Sequence, residues 1–191
     1  MTVPGAPARP LPTVRTVLQL LRRHWRPAYL AAVGATLVNT VPDVVRQLLV
    51  WDDPRVASAV LVDVVGFLTA VVAQLWVTGA LAGLPEGGPT QVAGALRRGT
   101  GLAWTAVRRA PATVAAGVVL GGAVSALLTV PASVAAIGLP RVLGPLDGPA
   151  PGGFAVAAVS DVVASAVTLP FLALVLVLAA RGRLVPRGAG Q

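Results

Sequence analysis

The chain has 191 residues, 55% of them hydrophobic and only 12% charged, with a mean hydropathy of +0.80 and a formal net charge of +8. That is too apolar for an ordinary globular domain, in which about a quarter of residues are charged. With no cysteine and a single histidine, His24, the composition also excludes a disulfide framework, thiolate chemistry and any multi-histidine metal site.

The first element is a helix over residues 12–26, in the stretch "PTVRTVLQLLRRHWRP". Val14, Val17, Leu18, Leu21 and Trp25 recur at helical spacing, while Arg15, Gln19, Arg22, Arg23 and Arg26 fall on the other face. Such a helix buries its apolar side at the head-group boundary and holds arginine against anionic lipid, which makes Arg22, Arg23 and Arg26 candidate lipid contacts. A first span follows over residues 27–41, with an extension to Trp51 left open. Its clean apolar part is only about 15 residues. The long leader and the absence of a small-x-small cleavage site before "TVPDVV" nevertheless argue that this segment is retained.

"WDDPR" at 51–55 reads as a solvated turn with an interfacial Trp51; one adjacent aspartate pair without a partner motif is weak support for magnesium-diphosphate binding. The second span covers residues 56–84 and contains Asp63, inside the uncharged run "SAVLVDVVGFLTAV". A second basic helix lies in "QVAGALRRGTGLAWTAVRR", with Val92, Ala95, Leu96 and Ala103 facing one way and Arg97, Arg98, Arg108 and Arg109 as further candidate lipid contacts. Gly94, Gly99 and Gly101 weaken that helix on propensity.

The third span, residues 110–137, carries Gly117, Gly121 and Ser125 in a small-xxx-small row that permits close helix contact. The fourth, residues 154–180, places Asp161 in "AVAAVSDVVASAVTL". Pro42 and Pro131 are expected to end or kink the odd spans, and Pro170 to kink the fourth. Trp25, Trp51 and Trp104 fall near predicted interfaces, Trp76 within its span.

All fifteen basic residues are arginines, and twelve fall on one side of this four-span layout. Arg9, Arg15, Arg22, Arg23 and Arg26 precede the first span. Arg97, Arg98, Arg108 and Arg109 lie between the second and third. Arg181, Arg183 and Arg187 follow the fourth. Only Arg46, Arg55 and Arg141 are left for the other side, whose loops also receive Asp43, Asp52, Asp53 and Asp147. The positive-inside rule therefore puts both termini in the cytoplasm. Arginines placed beside apolar blocks serve topology and anionic lipid, in preference to nucleic acid.

The expected fold is an all-α polytopic membrane bundle in one domain, 1–191, with flexible ends at 1–11 and 182–191. Two parallel pseudo-repeats, about 12–84 and 91–181, each run basic helix, span, "TVP", outer loop, and a span containing "VDVV" or "SDVV".

An aspartate at mid-bilayer costs roughly 2.5–3.5 kcal/mol on insertion scales, so Asp63 and Asp161 need a reason to be there. Asp63 lies eight residues after Arg55, about 12 Å along a helix, and Asp161 eight after Gly153, so the two depths match. The favoured explanation is structural: each caps the outer start of a helix or pairs with Arg46, Arg55 or Arg141. The other is that both carboxylates serve transport.

The alternation of arginine-rich helix ("LLRRHWRP") and apolar hairpin resembles small bacterial proteins related to the membrane domain found beside glycerophosphodiester phosphodiesterases. That resemblance implies a helical membrane module with no catalytic residues of its own, in the bacterial cytoplasmic membrane. No cofactor is expected. The leading expectation is a non-enzymatic structural, accessory or partner-binding protein, able to associate with another membrane protein or with itself. A small transporter subunit using Asp63 and Asp161 comes next. A lipid-acting enzyme comes last, for want of an acid-base pair, an activated nucleophile or a metal cluster.

Overall fold

A computed structural model describes residues 10–182. Arg9, Arg183 and Arg187, which entered the charge count, lie outside the described residues, as do the remaining residues of both ends. Seven α-helices follow in chain order, with no strand among the described residues: α1 (Pro10–Arg23), α2 (Trp25–Leu49), α3 (Val56–Ala80), α4 (Ala95–Arg109), α5 (Pro111–Ile137), α6 (Leu139–Val142) and α7 (Pro151–Arg181). Four stretches are long and apolar enough to cross a membrane: Trp25–Leu49, Val56–Glu86, Pro111–Ile137 and Pro151–Arg181.

Local chemistry sets the boundaries. Pro10, Pro111 and Pro151 stand in first turns, where the missing N–H would have had no partner in any case. Gly182, with φ of +63°, ends α7 in the left-handed conformation that glycine adopts without penalty. Pro10 and Leu11, expected in a flexible end, are already helical.

Three expectations are corrected. Of the two outcomes expected at the prolines, an end or a kink, the end is excluded: α2 runs through Pro42 to Leu49 and α5 through Pro131 to Ile137. A proline removes only one ladder bond, and neighbouring contacts in a membrane bundle compensate for it. In consequence Asp43 and Arg46, assigned to an outer loop, belong to the last turns of α2. The second basic helix starts at Ala95, leaving Val92 outside it; its buried face is Ala95, Gly99 and Ala106, not the side carrying Leu96.

The spanning helices run antiparallel. One end of the bundle, which carries α1 and α4 and most of the arginines, is the packed end. There Val17 and Leu21 of α1, Ala28 and Ala35 of α2, Val77 of α3 and Leu81 just past its end, and Leu174 and Leu178 of α7 form one core cluster. A second cluster joins Ala106 and Ala110 to Leu176, Ala179 and Ala180. α7 is the hub: it touches α1, α2, α3, α4 and α5, and Ala173 to Ala180 are buried around the whole helix circumference.

Glycine makes two of these approaches. Gly79 of α3 and Gly99 of α4 lie where a side chain on either would strike the other helix's backbone, so the two helices cross with main chain against main chain. Along α5, Gly117 and Gly121 face Val175 and Phe171 of α7. The two long helix pairs pack differently: α5 and α7 pack along their length, whereas α2 and α3 leave a 700 Å³ apolar groove between them.

Candidate functional site

At the end opposite α1 and α4 the spanning helices separate around a polar cleft of about 330 Å³. The end of α2, the start of α3, the end of α5 and the start of α7 all contribute walls. The rim is tied by Gly148 N–H donating to the Trp51 carbonyl at 2.8 Å and by an edge-on contact of Trp51 with Phe154, ring centroids 5.0 Å apart.

Arg46 organises the α2–α3 wall. Its Nε and one Nη donate to Asp43, one turn back on the same helix, and its other Nη donates to the Val62 carbonyl of α3. The guanidinium occupies the space over Gly66, where a Cβ would collide with it. Arg141, in α6, directs its donors to main-chain carbonyls: Nε to Leu146 at 2.8 Å, with longer contacts to Ile137 and Asp147. Both cationic groups of the cleft are thus engaged with the protein itself.

Asp63 and Asp161 also line this cleft, from α3 and α7. Neither caps a helix: α3 is preceded by Arg55 and α7 by Ala150, so Asp63 lies about two turns inside its helix and Asp161 about three. Their depths match less closely than expected, because α7 begins at Pro151 and not at Phe154. Nor does either carboxylate form a hydrogen bond or an ion pair among the described residues; Arg46 goes to Asp43 and Arg55 to Asp53. The capping and pairing explanation is therefore overturned by the geometry. Both side chains are open to the cleft.

Below the cleft a recess of about 40 Å³ shares Asp43 and Asp161 with it and adds Thr36, Asn39, Thr40 and Ser165. Thr36 is 5% exposed, and its buried Oγ1 has no hydrogen-bond partner among the described residues. Deeper still, Gln74 Nε2 of α3 donates to the Leu169 carbonyl of α7 at 3.4 Å, closing the polar track between the two helices.

The turn "WDDPR" is self-contained. Asp53 accepts from Arg55 Nη2 at 2.8 Å, from the Arg55 backbone N–H at 2.9 Å and from Ser58 Oγ at 2.7 Å. The Arg55 side chain first, then Ser58, holds its carboxyl well below the usual carboxylate range, and Asp53 in turn raises Arg55.

At the packed end, two candidate lipid contacts are occupied within the protein. Arg98 donates to the carbonyls of Gly79, Ala93 and Gln91, and Arg109 to that of Ala180 at 3.0 Å. Arg181 donates to Ala82 at 2.7 Å and pairs with Glu86 at 2.9 Å. These arginines satisfy carbonyls that the C-terminal ends of α3 and α7 leave open. Arg22, Arg23, Arg26, Arg97 and Arg108 stay exposed; Arg26 lies over Trp25 at 5.3 Å and Arg108 over Trp104 at 4.4 Å.

Sequence reasoning named Arg46 and Arg141 only as partners for the two aspartates, and missed Asp43 and Thr36 as parts of the site. For Asp43 a signal existed, since aspartate and arginine three residues apart can neutralise each other on one helix face. Compared with protein-family models, with curated proteins and with solved structures, the chain matches none.

Proposed function

We propose that the protein is a non-enzymatic integral membrane protein of the bacterial cytoplasmic membrane, with both termini cytoplasmic, and that it acts as a small solute-binding or permease subunit. One observation carries this reading: Asp63 and Asp161, on different helices, open into the same cleft and cap no helix, and neither forms a hydrogen bond or an ion pair among the described residues. A structural aspartate recovers its cost of roughly 2.5–3.5 kcal/mol within a span through such contacts. These two do not, so their charge or acceptor capacity is available to something entering the cleft.

The repeated element order supports two parallel pseudo-repeats, and in repeat-built transporters the solute site lies between the repeats. Here the cleft lies between α2 and α3 on one side and α5 and α7 on the other. The arginine distribution supports placing the packed end in the cytoplasm, which would open the cleft to the outside. A second reading, as a partner-binding accessory module, is favoured by the α2–α3 groove lined by Gly34, Ala35 and Trp76, where a foreign helix could approach closely. It is also what the resemblance to the phosphodiesterase-associated membrane proteins would imply.

The test uses the absence of native cysteine. Asp63→Cys and Asp161→Cys should react with a membrane-impermeant maleimide added outside, as should Ala150→Cys. Pro89→Cys should react only when the reagent reaches the inside. Unreactive cysteines at both 63 and 161 would overturn the reading.

A further inference from the structure

The charged groups of the cleft are arranged asymmetrically. Every donor of Arg46 that makes a contact goes to Asp43 or the Val62 carbonyl, and Arg141 is directed to the carbonyls of its own turn. Asp43 cancels Arg46. What remains without a hydrogen bond or an ion pair among the described residues is two carboxylates, Asp63 and Asp161, each when ionised an acceptor-only group with about four lone-pair positions. A cavity whose cations face the protein and whose anions face the void is complementary to a cation that brings its own donors.

Two further features narrow the ligand. Asp63 and Asp161 line the cleft from two different helices, α3 and α7, so one ligand lying in it can meet both. The cleft, at about 330 Å³, is at the small end of ligand cavities, about 300–1,000 Å³. Thr36 supplies an independent sign of an occupant: a hydroxyl oxygen buried without a partner beside a 40 Å³ recess is the kind of group that a bound polar atom or water completes.

We propose that the cleft binds a small organic cation bearing N–H donors, an ammonium or guanidinium compound, held between Asp63 and Asp161 with its head group where the cleft meets the recess beside Asp161. This rests on the solute-binding reading above and names its ligand class. Thr36, Asn39 and Ser165 then supply polar contacts behind the head group.

The experiment is thermal unfolding of the full chain in detergent or nanodiscs, with agmatine, putrescine, tetramethylammonium and glutamate at matched ionic strength. Agmatine and putrescine should raise the midpoint in a concentration-dependent way. Tetramethylammonium, cationic but without N–H donors, and glutamate should not. Asp63→Asn and Asp161→Asn keep the side-chain shape; each should unfold cooperatively near the wild-type midpoint and bind about tenfold more weakly or worse. Equal stabilisation by tetramethylammonium would overturn the donor requirement. Stabilisation by glutamate that the two Asn variants abolish would overturn the ligand class yet uphold the solute site. No stabilisation by any of these, with cysteines at 63 and 161 still reactive, would sink the cation proposal alone; unreactive cysteines would sink the solute-binding reading with it.

Discussion

Replacing Gly79 or Gly99 by alanine tests whether α3 and α4 really cross backbone to backbone. A Cβ on Gly99 would lie 2.7 Å from the Leu75 carbonyl carbon and 2.9 Å from the Gly79 nitrogen, and one on Gly79 would lie 2.6 Å from the Ala95 carbonyl carbon. Unstrained carbon contacts need about 3.5–4.0 Å, and the Leu75 and Ala95 carbonyl oxygens lie closer still, so the helices must part by more than about 1 Å. The obstructing atoms are main chain and cannot rotate away, which puts the cost at the upper end of the roughly 1–3 kcal/mol of overpacking. Better helix propensity offsets about 0.5–1 kcal/mol of it, leaving about 2 kcal/mol for each variant. Because both side chains enter one crossing, the separation forced by the first also accommodates the second. The double variant should therefore cost about 2 kcal/mol and not about 4, a coupling within the range seen for residues in contact. Gly101, in the same helix but with nothing within 4 Å, is the control: Gly101→Ala should stabilise by about 0.5–1 kcal/mol. Reversible unfolding in mixed micelles, followed by helical circular dichroism, measures all four. Equal behaviour of the three single variants, or strict additivity of the double, would refute the crossing.

Arg46→Ala leaves Asp43 without its partner and cuts the link to the Val62 carbonyl; with side chains 16% and 29% exposed, the pair is worth less than the 3–5 kcal/mol of a fully buried one, and about 2 kcal/mol should be lost in the same assay. Arg55→Ala, at a pair whose arginine is 77% exposed, should lose far less. Because the folded state holds the Asp53 carboxyl below its ordinary value of 3.8, Asp53 contributes stability above that value and loses it as pH falls towards the depressed one. The gap between wild type and Asp53→Asn, measured from pH about 7 down to about 2, should therefore narrow below pH about 4. Gln74→Leu removes one hydrogen bond between α3 and α7 and should cost no more than about 1 kcal/mol, the scale of interhelical bonds in membranes.

Hydropathy exposed the four spans because bilayer thickness imposes a length that composition cannot disguise. It did not show which span is the core. α5 and α7 are equally apolar on all sides, yet Val119 and Leu127 of α5 are exposed while Leu174 to Ala180 of α7 are enclosed. Lipid tails and protein interior present the same chemistry to a leucine, so no pattern in the residues tells them apart. Asp63 and Asp161 were legible as anomalies; that they share a cavity depends on helix order, which one sequence does not encode locally. Asp43 and Arg46 were read as loop because charge is counted residue by residue, whereas the two neutralise each other one turn apart. Gly99 was counted against α4 on propensity, though it is the residue that lets α4 reach α3.

The burial of α7 bears on how the bundle is made. Of the described helices it is synthesised last, yet α1, α3, α4 and α5 all pack against it. Until it emerges from the ribosome, those helices surround no common centre: α4 can already cross α3, but Ala106 lacks Leu176, Ala179 and Ala180, and the cluster around Val17 lacks Leu174 and Leu178. Assembly should then finish in a single late step, in which the arriving span closes the structure and Arg181 reaches the Ala82 carbonyl and Glu86. A nascent chain stalled after α5 should remain loosely associated and vulnerable to membrane proteases, while a chain completed through residue 181 becomes resistant at once.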